Sequence, residues 1–404
     1  MDRIRAKYNS FFGDLNLVIT LLIVLLLPLY INIGMRILLV LMVVVYVIEI
    51  ILDHRFVSFS IKDKRYSFFF ISILFYFFLQ YLYLPFEQNT SFFLKVSEER
   101  LSFLIIGIIG LIGLNSKYKL KTFAWAYIAS SLIYCFFLLS HLNSNILFSN
   151  ELFTYLGEVR EKTLNSHMKF NFHLNVTLIF IYYLLQTIRH QKVKLEMVLL
   201  YCSAFVILSI LLISNGRVGV LTSLLLLVMM IFHFLWEKSK IFTSIFLLII
   251  AIVFSTFIIH NSRFSTEILK NEPRFKIWQV SLLELKDSKF VGEGASTAWY
   301  NLNKDLSVLN VNYKHAHNVL IQTTIEYGII GFLTILAIFF SAYYAVSKRY
   351  RFLMKLILLA AFFQLMFGSF MRDVEPLAFL LPLLLIIHQD TIEIHSEKGL
   401  TVSN

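Results

Sequence analysis

Charge-poor apolar runs of the length that crosses a bilayer recur along this 404-residue chain, and that recurrence constrains its architecture more than anything else in it. A spanning helix needs about 20 mostly apolar residues. Such runs fall near Leu15 to Gly34, Ile37 to Leu52, Phe68 to Leu84, Ser102 to Leu114, Phe123 to Ser140 and Leu174 to Ile188. They continue near Val198 to Ser214, Val218 to Trp236, Ile241 to His260, Asn318 to Val346, Leu356 to Met371 and Leu377 to Ile387. The expected fold is therefore an all-α membrane protein of about 12 transmembrane helices, some of them at the short limit for a span. Composition agrees: 58% of residues are hydrophobic and 15% charged, against about half and about a quarter in soluble chains. That balance excludes a disordered chain, a disulfide scaffold, a collagen and an ordinary soluble enzyme.

A net charge of +11 would suggest a nucleic-acid partner in a soluble protein, but here the basic residues flank the apolar runs. Arg3, Arg5 and Lys7 precede the first run, and every second loop after it is basic. These loops carry Arg55, Lys62, Lys64 and Arg65; Lys117, Lys119 and Lys121; Arg189, Lys192 and Lys194; Lys238 and Lys240; and Lys348, Arg349, Arg351 and Lys355. Basic short loops stay in the cytoplasm, so parity places both termini there, and the lipid bilayer rather than nucleic acid is the expected partner. The N-terminal run lacks a small-residue cleavage site and reads as a retained first span. Cys135 and Cys202 both lie in apolar stretches, where they read as helix-packing residues.

One loop breaks the pattern. From Asn261 to about His315 the chain stays on the outer side and carries many basic residues; loops of that length cross regardless of charge. Within it Ile277, Val280, Leu282, Leu283 and Leu285 recur at near-helical spacing, which predicts an amphipathic helix against the membrane surface. Gly292 and Gly294 then mark a tight turn or a close backbone approach. The expected divisions are residues 1–260 with nine spans, 261–316 with the periplasmic loop, 317–390 with three spans, and a cytoplasmic tail at 391–404.

Three groups of residues could carry chemistry. His315 and His317 end the long loop, and Asn318 would open a helix whose N-terminus suits an anion. A neutral imidazole there can take a proton from an attacking hydroxyl, or the pair can simply meet water and headgroups. Arg217 stands nearly alone between two spans at the outer surface, able to snorkel or to grip phosphate with two parallel hydrogen bonds. Arg263 and Arg274, with Trp278, can converge on a ligand or form the wet face of the surface helix. Together the three arginines and two histidines form a plausible pyrophosphate cradle on one face. Glu49 and Glu326 lie within or beside spans, but neither has a basic partner at i, i+4, so no proton-relay chain is expected. Asp373 and Glu375 could hold a divalent ion or form a polar turn.

The segment HNVLIQTTIEYGIIG, from His317 to Gly331, pairs an HN with a G-x-x-G nine residues on, and it resembles the signature of the O-antigen ligase and polymerase superfamily. Arg274 before Trp278, the Gly292 and Gly294 turn, and Arg217 in an earlier outer loop stand in the matching order. The resemblance implies a metal-independent, cofactor-free glycosyltransferase of the C-type membrane architecture in the bacterial inner membrane, acting on the periplasmic face. Its donor would be a glycan on undecaprenyl pyrophosphate, gripped by Arg217 and Arg274 with Arg263 as a possible second clamp. His317 would activate the acceptor hydroxyl, with inversion at the anomeric carbon; His315, Asn318, Trp278, Gly292 and Gly294 would support it. Lipid A-core as acceptor makes a ligase, and a lipid-linked glycan acceptor makes a polymerase; the ligase reading is preferred. Metal-dependent lipid-phosphosugar transferases carry an acidic motif in the first outer loop, whereas Ile31 to Arg36 holds no acid. A lipid-linked oligosaccharide transporter would want paired ionisable groups or broken helices, neither of which stands out in the sequence. An envelope scaffold is a third reading.

Overall fold

The computed structural model describes residues 2–29, 32–52, 64–114, 117–140, 167–189, 194–214, 216–236, 239–241, 243–245, 248–249, 252, 255–256, 273–288, 290–308, 316–368 and 375–397. All regular structure among them is helical. The helices are α1 (Asp2–Leu26), α2 (Asn32–Leu52), α3 (Lys64–Leu82), α4 (Thr90–Glu99), α5 (Leu101–Ile112), α6 (Leu120–Ser140) and α7 (His167–Ile188). They continue with α8 (Lys194–Ile213), α9 (Arg217–Trp236), α10 (Pro273–Asp287), α11 (Ala295–Val308), α12 (Val319–Ala345), α13 (Arg351–Phe367) and α14 (Leu377–Glu397).

Seven segments among the described residues are long and apolar enough to cross a membrane: Gly34–Ile51, Lys64–Phe86, Leu120–Ser140, Lys194–Ile213, Arg217–Trp236, Val319–Ala345 and Leu377–Ile394. Phe11–Leu26 and Leu101–Ile112 are shorter apolar helices. The expected span at Ile241 to His260 lies mostly outside the described residues. The first expected span also needs correction: α1 stops at Leu26 and α2 starts at Asn32, because Pro28 supplies no N–H to continue the helix.

Burial is arranged as in a lipid-facing bundle. On α2 the exposed residues include Ile37, Val40, Val44, Val47 and Ile51, and on α3 Phe68, Ile71, Phe75, Phe78 and Leu82. Both stripes follow the 3.6-residue period and face outward, where a water-soluble helix would carry polar residues. The opposite faces, with Met35, Met42, Tyr46, Phe69, Ile73 and Tyr76, fill one continuous core. Cys135 is buried in a second cluster, whereas Cys202 is exposed on the outside of α8 and does not pack as expected. Almost every residue of α7 from Met168 to Leu184 is buried, which makes it a central post packed against α6, α8, α9 and α13.

The short basic loops gather at one end. Lys117 pairs with Asp14, Lys121 with Glu196 and Arg349 with Glu393. Asp390 accepts from the backbone N–H and hydroxyl of Ser347 and from the Tyr66 hydroxyl, and Gln389 accepts from the Leu120 N–H, tying these loops together.

The 27-residue helix α12 is broken at Tyr327 and Gly328. Gly328 has φ +61° and ψ −160°, a region essentially open to glycine alone, and a Cβ there would lie 2.2 Å from the Val291 carbonyl oxygen. The turn at residues 290–294 fills the break. The Ile329 N–H donates to the Phe290 carbonyl, while the Glu293 and Gly294 N–H groups donate to Ile325 and Glu326. The Tyr83 hydroxyl reaches the Tyr327 carbonyl at 2.9 Å and that of Val291 at 2.8 Å. Backbone groups freed by the break thus find partners inside the protein, as a low-dielectric setting demands.

Candidate active site

The sequence around Arg217 starts a helix at a place where the backbone is crowded. A Cβ on Gly219 would come within 2.4 Å of Asn171 on α7, so the absence of a side chain lets α9 press against that post. Asn175 donates to the Asn171 and Gly219 carbonyls at 2.9 and 3.2 Å, and Asn171 donates to Gly216 at 3.4 Å. These bonds fix the amide orientations and leave both Oδ1 atoms buried without a partner. The first turn of α9, from Gly216 to Gly219, lines a cavity of about 70 Å³ together with Met168, Asn171, Asn175, Thr222, Arg274 and Gln364.

Arg217 and Arg274, far apart in sequence, therefore line one cavity. Leading N–H groups of a helix have no intrahelical acceptor and carry the positive end of its dipole. Two guanidinium groups beside such an N-terminus make a site for an anion. At about 70 Å³ the space suits one anionic group rather than a whole glycolipid, since ligand pockets run to hundreds of Å³.

Arg274 is the second residue of α10, with Pro273 at the first position, where the missing N–H is harmless. One turn on, the Trp278 indole donates to the Ala316 carbonyl at 3.0 Å, and its ring packs on Phe367 at 5.8 Å. The helix does not merely lie on a membrane surface: Ile277 and Leu285 are buried, packing on α11, α12 and Ala316, while Leu282 and Leu283 remain exposed. Its inward face is thus claimed by protein, a correction to the expected surface helix.

His317 is half-buried and has φ +49°, left-handed backbone that a non-glycine residue rarely adopts. Asn318 caps α12, its side chain accepting from the Ile321 N–H at 3.1 Å. His317 does not line the cavity. Its neighbours lead there: Asn318 approaches Met366, and Trp278 touches Phe367, both less than a turn from Gln364. Gly292 and Gly294 sit at φ +92° and +82°, in the turn that enters the break of α12. A Cβ on Gly294 would meet Glu87 at 2.8 Å, and Glu87 accepts from the Ala295 and Ser296 N–H groups, capping α11.

Arg263, His315 and Asp373 lie outside the described residues. Glu375 pairs with Lys169. Glu326 is paired after all: buried Arg100, from the loop before α5, reaches its carboxylate at 2.5 Å and also donates to the Tyr327 hydroxyl. The paired ionisable groups and the broken helix that the sequence did not suggest are both present; the pairing is between distant segments, so i, i+4 spacing carried no sign of it.

Asn171, Asn175 and Gln364 are cavity residues that the sequence reading missed. A sign was available in FNFHLNVT, where Asn171, His173, Asn175 and Thr177 interrupt an apolar run with polar groups that hydrocarbon would penalise. The same polarity made the span look as if it began at Leu174, whereas α7 begins at His167.

The fold and cavity describe a multi-pass helical membrane protein in which two arginines, Arg217 and Arg274, line one cavity. Residues 202–336, about a third of the chain, match the family described as O-antigen ligase. The match takes in Arg217, Arg274, Trp278, Gly292, Gly294, His317 and Asn318, while Arg100, Asn171, Asn175 and Gln364 lie outside it. No curated protein matches the chain.

Proposed function

We propose that this protein is an O-antigen ligase-type glycosyltransferase that moves a glycan from undecaprenyl pyrophosphate to a hydroxyl of lipid A-core. The observation that carries the reading is the meeting of Arg217 and Arg274 at the N-terminus of α9, within the segment that matches the family. In this reading the two guanidinium groups and the N–H groups of α9 hold the pyrophosphate and stabilise the charge that grows on it as the sugar departs. His317 takes the proton of the acceptor hydroxyl. The hydroxyl oxygen then bonds to the anomeric carbon from the face opposite the phosphate, the carbon–oxygen bond to phosphate breaks, and undecaprenyl pyrophosphate leaves with inversion at the sugar. The reaction balances without a metal or cofactor.

Arg263 as a further clamp and His315 as a companion to His317 belong to the same proposal, as do a bacterial inner-membrane location, cytoplasmic termini and a periplasmic site. Polymerisation, with a second lipid-linked glycan as acceptor, uses the same groups. Transport of a lipid-linked oligosaccharide is a second reading, favoured by the buried Arg100 and Glu326 pair beside the broken helix. Against it, the turn at 290–294 occupies the break and bonds to its backbone.

The test is reconstitution of purified protein in liposomes with undecaprenyl-pyrophosphate-linked glycan, with and without lipid A-core, read on glycolipid gels. One added block on lipid A-core supports the ligase. A ladder of lengthening lipid-linked chains formed without lipid A-core makes it a polymerase, and unchanged glycolipid on both sides of the assay returns transport to the front.

A further inference from the structure

Hydrogen bonds run from a buried charge pair to the backbone beside His317. Arg100 reaches Glu326 Oε2 at 2.5 Å. The other carboxylate oxygen, Oε1, accepts from Gln322 Nε2 at 2.8 Å. Gln322 Oε1 in turn accepts from the Ala316 N–H at 2.9 Å, and the Ala316 carbonyl accepts from Trp278. Every link has a defined direction. An ionised carboxylate only accepts, so it fixes which end of the Gln322 amide faces it and leaves the amide oxygen for Ala316.

Two features make more of this than local packing. His317 holds left-handed backbone, a conformation that persists only where the surroundings over-determine it, and both backbone groups of its neighbour Ala316 are held. The ion pair itself is almost fully buried, and such a pair is weak ground for stability because desolvation offsets its attraction. Its remaining use is to specify one arrangement. Arg100 is also fixed on its far sides, lying over the rings of Tyr76 and Tyr327.

We propose that Arg100, Glu326 and Gln322 are positioning residues that set the backbone from which His317 meets the acceptor hydroxyl; this rests on the reading of His317 as the proton acceptor. The relay ties the loop before α5 to the start of α12, on the N-terminal side of the break at Gly328. Its function is directional: a carboxylate at one end, an amide between, a backbone N–H at the other.

Directionality gives the test. In the full chain in liposomes, Gln322→Leu leaves the ion pair in place and cuts the relay; kcat of transfer falls about tenfold with KM little changed. The paired change Gln322→Glu with Glu326→Gln keeps the total charge and restores every link. The new carboxylate accepts from Ala316 and from the new amide, whose oxygen accepts from Arg100. The pair recovers most of the lost kcat, and Gln322→Glu alone, with two carboxylates facing each other, does not. A second readout needs no transfer: the rate at which diethyl pyrocarbonate modifies His317, followed by peptide mass spectrometry with His233 and His388 as internal references. That rate changes severalfold in Gln322→Leu and returns in the paired variant. Unchanged kcat and unchanged His317 modification in Gln322→Leu overturn the proposal, as does a paired variant no better than Gln322→Glu alone. Absence of transfer in the unmodified protein counts against the function reading only, because the modification rates still decide the relay.

Discussion

Among the described residues, only one end of the bundle buries ion pairs. At the end with the short basic loops, Lys117 and Asp14 are 35% and 60% exposed, and Arg349 with Glu393 is similarly open on the arginine side. At the other end Arg100 and Glu326 are 2% and 0% exposed and Lys169 with Glu375 is largely covered, beside one open pair, Arg36 with Glu98. Charges of the first kind are solvated and screened, so they add little to stability. Charges of the second kind are held within the protein, where an unmatched partner is costly. Architecture follows the same division: simple loops at one end, and at the other α10, α11 and a turn docked into a broken helix.

That contrast is open to direct attack. The largest expected effect is on folding: Arg100→Ala strands Glu326 in a buried site and lowers stability by about 3–5 kcal/mol, seen as a fall in Tm of the detergent-solubilised protein. Replacing both partners, with Arg100→Met and Glu326→Leu, recovers most of the Tm. Next are Arg217→Ala, Arg274→Ala and His317→Ala, each expected to slow transfer about a hundredfold or more in liposomes while the Tm stays near that of the parent. If both His317→Ala and Arg274→Ala leave transfer intact, the site assignment is wrong. Gly328→Ala places a Cβ against the 290–294 turn and costs about 1–3 kcal/mol; limited proteolysis near Gly292 should quicken in step. Smallest is Lys117→Ala, worth about 1 kcal/mol or less with transfer unchanged and any effect fading in salt. A Lys117→Ala variant as damaged as Arg100→Ala would erase the distinction between the two ends.

Much of this was legible in the residues because the signals are local. A helix in lipid announces itself by a run of apolar side chains, and α3, α6, α8 and α9 fall close to where those runs lie. Arg274 near Trp278, and His317 before the Asn318 cap, are likewise short-range patterns, and the match over residues 202–336 supports the family they suggest. The reading failed where polarity served a partner in another segment. Asn171 and Asn175 looked like the edge of a span, yet their amides hold the carbonyls of α9. Glu326 looked unpaired because its partner is 226 residues away.

The sequence alone determined that the chain is a helical membrane protein, roughly where its helices run and which loops are basic, and it suggested which residues to propose for an anionic glycolipid. The spans and basic loops follow from hydropathy and charge, which sum along the chain whatever the fold, whereas the glycolipid came from the resemblance of short motifs. Tertiary structure decided that Arg217 and Arg274 share a cavity, that α7 supplies its floor, that α12 breaks at Gly328 to admit the 290–294 turn, and that Arg100 reaches Glu326. Each of these depends on the distance between residues remote in the chain, and in a low dielectric that distance decides whether a polar group is a cost or a site.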